Sequence, residues 1–227
     1  FGFAVFTNVA PFSLLAWAQL HVTSGFAGIT MAAVPLFLLP MAHFVLPNER
    51  MSLRKVIGFL TGFAGVVVLI GPSSISFAAG DATLSVARLA CILAAMCYAT
   101  GSLITRTAPP VAMITFSSAG VTLGACMILP IAIFQEGLPE QANWASVLGV
   151  IYLGLFPTAL ATVILVRVIN SAGPTFLSLV NYQVPVWAVV LGLVFLGESA
   201  RPGFFAALVL ILLGLAISQA RAWRFRQ

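Results

Sequence analysis

Three adjacent polar residues, Asn181, Tyr182 and Gln183, interrupt an apolar run about one helical turn before Pro185. An amide or hydroxyl taken into hydrocarbon without a partner costs roughly 2–7 kcal/mol, so each must be bonded or face water. Amide and phenol groups hold a ligand rather than break its bonds. The run therefore either lines a cavity for a small polar molecule or bonds to a neighbouring helix. Trp187, two residues beyond Pro185, lies too deep for an interfacial anchor and supplies either a cavity wall or plain packing. Tyr98, with Thr100 and Ser102, is a further candidate for the cavity. Pro35 and Pro185 remove a backbone donor, and each is expected to kink its helix and expose carbonyls.

Bond-making chemistry is absent from the same map. An intramembrane enzyme needs a nucleophile beside a base, or a metal cluster, at one depth. His21 and His43 sit at opposite helix ends, and neither H-E-x-x-H nor G-x-S-x-G occurs. Cys91, Cys97 and Cys126 lie inside apolar runs without metal-ligand spacing and read as small buried hydrophobes. No catalytic residue, metal site or cofactor is assigned. No phosphate-binding loop is present, so this chain does not itself use ATP. All five Asp and Glu residues fall at span ends or in loops. Glu49 and Glu198 stand at loop-to-helix junctions, where a carboxylate suits the positive end of the next helix. Arg88, one turn into its span, either snorkels to the outer interface towards Asp81 or contacts an anionic substrate.

The elements that carry these groups follow from composition. The chain has 227 residues, 61% apolar and 7% charged, far below the ~25% charged residues a water-facing surface needs. Lipid must be its solvent. Eight apolar stretches reach the ~20 residues of a spanning helix: 1–20, 26–46, 51–70, 84–104, 111–134, 147–169, 174–196 and 202–220. They are apolar all round, which excludes the alternating ten-residue strands of a β-barrel. The fold class is all-α, a polytopic membrane protein. Its ten Lys and Arg are scattered between spans, so nucleic acid is not a partner.

Those cations set orientation. With the carboxyl end cytoplasmic, Arg50, Arg54, Lys55, Arg106, Arg167, Arg221, Arg224 and Arg226 fall inside, leaving Arg88 and Arg201 nearer the outer face. An internal repeat then appears. Val34–Pro35, Glu49 and Gly65 recur as Val184–Pro185, Glu198 and Gly214, at offsets of 150, 149 and 149. Residues 1–71 read as the last three helices of one unit, 83–220 as a five-helix second unit, and 221–227 as a basic cytoplasmic tail. An odd number of spans per unit inverts the second copy, an architecture of secondary transporters whose substrate site lies between the halves. Met31, Ala32 and Ala33 stand where the second unit has 181–183. The helix itself thus does not require polarity there, which favours cavity lining.

The segments V-P-L-F-L-L-P, P-N-E-R-M-S-L and G-F-L-T-G-F-A-G-V, echoed by Q-V-P-V-W, L-G-E-S-A and L-L-G-L-A, resemble the EamA-type branch of the drug/metabolite transporter superfamily. The resemblance covers essentially the whole chain. It implies ten helices in two inverted five-helix units around a central cavity, carrying amino acids, metabolites, sugars or drugs. On that pattern the first two spans stand outside this chain, which begins at Phe1 within an apolar run. The expected function is secondary transport of a small molecule by alternating access in a prokaryotic inner membrane; a channel or membrane scaffold is the alternative.

Orientation is open to direct measurement. In a background without the three native cysteines, an impermeant reagent added outside should modify Glu140→Cys and spare Arg54→Cys. The opposite pattern would reverse the topology.

Overall fold

Helix starts follow local chemistry. Thr23 precedes the second helix, and its hydroxyl accepts the Phe26 N–H at 3.3 Å. Ser52 takes the Lys55 N–H at 3.4 Å, and Asn143 takes that of Ala145 at 3.1 Å. Pro202 opens the last helix, where its missing N–H is no loss.

The computed structural model describes residues 1–45, 52–70, 82–108, 111–137, 143–161, 164, 180–198 and 202–219. Among these the chain is helical without strands. The helices are α1 (Gly2–Ala18), α2 (Ser24–Val45), α3 (Leu53–Ile70), α4 (Ala82–Thr107), α5 (Met113–Glu136), α6 (Trp144–Leu160), α7 (Val180–Phe195) and α8 (Pro202–Gln219). They follow the expected stretches closely through α5; residues 162–163 and 165–169 of the expected 147–169 span and 174–179 of the expected 174–196 span lie outside the described residues. Among the described residues, three helices are long and apolar enough to cross a bilayer, namely Ser24–Val45, Ala82–Thr105 and Ile114–Phe134. Shorter ones such as Gly2–Ala18 reach only about 25 Å at 1.5 Å per residue. The described residues thus form eight helices, three of which are clearly apolar candidate spans.

Proline interrupts the helices in two ways. α2 is divided at Ala32–Ala33 into Ser24–Met31 and Val34–Val45. Pro35 has no N–H to return to Met31, and the Ala33 and Leu36 N–H groups turn to Thr30 and Ala33 carbonyls at 3.0 and 2.9 Å. By contrast, helix α7 is continuous through Pro185. α1 contains a π-helical segment at Val5–Val9, where the Ala10 N–H bonds to the Val5 carbonyl. Pro11 follows at once and cannot serve the Thr7 carbonyl. A second π segment, Gly154–Leu160, contains Pro157 and begins 149 residues after the first.

Packing is built on small residues. Ala18, Ala27, Ala32, Ala33, Ala87, Ala94, Ala95, Ala99 and Ala207 are buried, while Phe and Leu residues crowd the exposed surface. Apolar solvent gives large side chains no reason to hide, so close approach through small ones drives association. Cys91 follows that expectation; Cys97 is half-buried and Cys126 exposed, because α5 is little covered. The most extensive contact joins α3 to α8. A Cβ on Gly58 would lie 2.5 Å from the Gly214 oxygen and 2.7 Å from the Ser218 nitrogen, and one on Gly65 would meet Ile211 at 2.8 Å and the Ala207 oxygen at 3.0 Å. Rising positions on α3 meet falling positions on α8, so the pair is antiparallel. α2 and α7 pair likewise, with Gly25 against Val189 and Gly28 against Ala188 and Pro185.

Gly214→Val would drive a side chain into the α3 backbone and should lower stability by about 1–3 kcal/mol. Gly149→Ala, with nothing within 4 Å, is the matched control. Thermal unfolding in detergent should separate the two; equal midpoints would discount the α3–α8 contact.

Candidate functional site

α7 divides the sequence-derived candidates between its faces. Pro185, Val189 and Gly192 are buried, and Pro185 and Val189 pack on α2. Gln183 and Trp187, one turn apart, point away from that contact. Both are exposed, Trp187 by 57%, and the indole Nε1–H donates to the Gln183 Oε1 at 3.4 Å. Asn181 and Tyr182 fall in the first turn of α7, but their side chains lie outside the described part. Tyr98 belongs to a different contact. On α4 it meets Phe12 of α1 edge-on, with centroids 6.4 Å apart at 76°. The structure thus joins Gln183 to Trp187, while Tyr98 faces the α1–α4 contact.

Most intramembrane hydroxyls serve their own helices. Thr30, Thr61, Thr100, Ser102, Thr105 and Ser118 each donate to the carbonyl four residues back, at 2.6–2.9 Å. Thr7 is different. Its Oγ1 is buried with no hydrogen-bond partner and lies where a Cβ on Gly101 would fall. The neighbouring Asn8 donates from Nδ2 to the Gly120 carbonyl at 3.5 Å, linking α1 to α5. Both sit in the π segment, whose changed register turns them toward α4 and α5. Pro11, four residues after Thr7, was the only local signal in the sequence. Beyond this contact, Thr115, Ser118 and Thr122 of α5 edge an open concavity of about 740 Å³ with Ile114, Ala119, Leu123 and Cys126.

Two charged residues depart from expectation. Arg88 does not snorkel to the surface. It is buried, 8% exposed, with its guanidinium 5.9 Å from the centroid of Phe26, because the aromatic face of α2 offers a cation–π partner within the packed region. Glu198 does not cap the helix that follows it. Its Oε1 accepts the Ser24 N–H at 2.7 Å and its Oε2 the Gly25 N–H at 3.3 Å, across 174 residues of sequence. With Thr23 on Phe26, this satisfies the first three N–H groups of α2. The equivalent Glu49 lies outside the described residues.

A model of the EamA-like transporter family matches residues 1–71 and 86–219. The chain belongs to this family. It is a multi-pass membrane protein, and its family consists of transporters rather than enzymes. Protein PecM of Dickeya dadantii (strain 3937) is 25% identical over 212 residues, 92% of this chain and 69% of that protein. The uncharacterized inner membrane transporter YedA of Escherichia coli (strain K12) is 26% identical, over 87% of this chain and 62% of its own length. The "probable terminal-alkyne amino-acid exporter" of Streptantibioticus cattleyicolor is 28% identical, over 83% and 62%. The chain therefore spans about 60–70% of the length of these relatives. A solved crystal structure, 22% identical, has the same fold, with a TM-score of 0.59 over 97% of this chain and 74% of its own.

Within this EamA-like chain Thr7 offers a clean separation of roles. Replacing an unpartnered buried hydroxyl by a methyl is neutral or stabilising, by up to about 1–3 kcal/mol. Thr7→Val should therefore hold or raise the unfolding midpoint of the full-length protein. A fall in stability would show that the hydroxyl is bonded in solution.

Proposed function

We propose that this protein is a secondary carrier of a small metabolite, amino acid or drug, working by alternating access between two inverted five-helix repeats. The observation that carries the reading is reciprocity at the α3–α8 contact. Shifted by the repeat offset of 149, Gly58 becomes Ala207, Gly62 becomes Ile211 and Gly65 becomes Gly214. The contacts Gly58–Gly214 and Gly62–Gly214 then become Ala207–Gly65 and Ile211–Gly65, and all four occur. Exchange of partners under one operation is the mark of a two-fold relation. The antiparallel course of α3 against α8 and of α2 against α7 is what inversion in the membrane requires. The family match in two blocks, 1–71 and 86–219, agrees with that division.

In this reading one or two of Asn181, Tyr182 and Gln183, with Tyr182 favoured, line the central space beside Trp187 of α7, because consecutive helix residues are about 100° apart and cannot all face one way. Tyr98 contributes from α4, and Pro35 and Pro185 shape the helices around it. Gln183 and Trp187 are already directed away from the α2 contact, and their mutual bond presents an amide and an indole together. The relative named a "probable terminal-alkyne amino-acid exporter" makes amino acids the first substrates to test. The tail 221–227 is cytoplasmic and the host membrane is the inner membrane of a prokaryote. A small-molecule substrate and the bilayer are the partners; no cofactor is called for.

Full-length protein in proteoliposomes provides the test, with a panel of radiolabelled amino acids. A neutral hydrogen bond is worth about 0.5–1.5 kcal/mol, so Asn181→Ala or Tyr182→Ala should weaken apparent affinity about 2–10-fold with membrane insertion unchanged. Wild-type transport kinetics in both variants would remove these residues from the site.

A further inference from the structure

We propose that Glu198 is a latch between the helices of the two proposed repeats, holding shut the face of the molecule at which α2 begins and α7 ends; this rests on the alternating-access reading. Its placement is built by glycine. Gly197, with φ of 63°, ends α7 in the left-handed region. The Glu198 N–H then turns back to the Gly192 carbonyl at 3.1 Å, which also accepts the Leu196 N–H at 3.2 Å. That reversal aims the carboxylate across at α2 instead of along the chain to α8. Gly192 supplies the space. A Cβ there would stand 2.5 Å from the Glu198 Oε2 and 2.8 Å from the Ser24 Oγ.

The joint is suited to breaking and remaking. Its acceptor is a single half-buried carboxylate, and its donors are backbone N–H groups that keep their place when the carboxylate leaves. The helix dipole adds attraction to the negative group. Ser24 Oγ, buried and unpartnered beside it, is a neighbouring donor that a shifted carboxylate can take up. Elsewhere α2 meets α7 through Gly25, Gly28, Ala188 and Val189, contacts without polar direction that permit sliding. The latch therefore supplies the directional hold on an otherwise smooth interface.

Pulsed electron–electron resonance on the full-length protein decides the matter, with spin labels at exposed Leu20 and Phe195 near the latch and a second pair at exposed Phe44 and Thr107 on the opposite face. Glu198→Ala and Gly192→Ala should each move the near pair into a population at longer separation, and Glu198→Gln, which keeps an acceptor but loses the charge, should move it less. Gly192→Ala keeps the carboxylate, so it still reports if Glu198→Ala does not fold. A near-pair distribution unchanged in all three variants would overturn the latch. Opening of the near pair accompanied by closure of the far pair supports both latch and carrier. Opening with a static far pair keeps the latch and sinks alternating access.

Discussion

The close antiparallel contact of α3 with α8 is the constraint on which the rest of the molecule depends. At Gly58, Gly62 and Gly214 the two backbones approach so nearly that no side chain fits between them. In lipid, burying apolar surface between helices brings no net hydrophobic gain, so this approach and the dispersion contacts it permits must hold the pair. The contact exchanges partners under the 149-residue offset, Gly58–Gly214 answering Ala207–Gly65 and Gly62–Gly214 answering Ile211–Gly65. The α2–α7 pair, with Gly28 against Ala188, runs in the same sense.

The surface is the complement of that core. Buried positions are mostly alanine, glycine and cysteine, and the bulky residues Phe12, Leu60, Phe63, Leu129, Tyr152 and Phe205 face outward. In water such a distribution would aggregate; in hydrocarbon it is neutral. α6 makes its most extensive described contacts within itself, and α5 leaves its Thr115–Ser118–Thr122 edge open.

Polar groups in this setting divide by the partner they find. The hydroxyls of Thr30, Thr61, Thr100, Ser102, Thr105 and Ser118 return to carbonyls of their own helices. Where the helix departs from α-geometry, as at Val5–Val9, Thr7 and Asn8 are turned toward α4 and α5 instead. Where a glycine reverses the chain, as at Gly197, a carboxylate is released to bond a distant helix. Backbone irregularity is thus the source of the long-range polar contacts of α1 and α7.

The sequence by itself determined the helical class, the run of apolar segments and the membrane as solvent, because each rests on composition or length along one chain. It also put forward Asn181, Tyr182, Gln183 and Trp187 as cavity candidates, of which the structure joins Gln183 to Trp187 by a hydrogen bond. Only the tertiary structure decided where Glu198 and Arg88 go. Local reasoning sent the first to the next helix and the second to the surface, yet Glu198 bonds Ser24 and Gly25, and Arg88 lies under Phe26. Their partners are set by which helices lie side by side. That depends on glycine surfaces meeting in three dimensions, and no periodicity within a single helix encodes it.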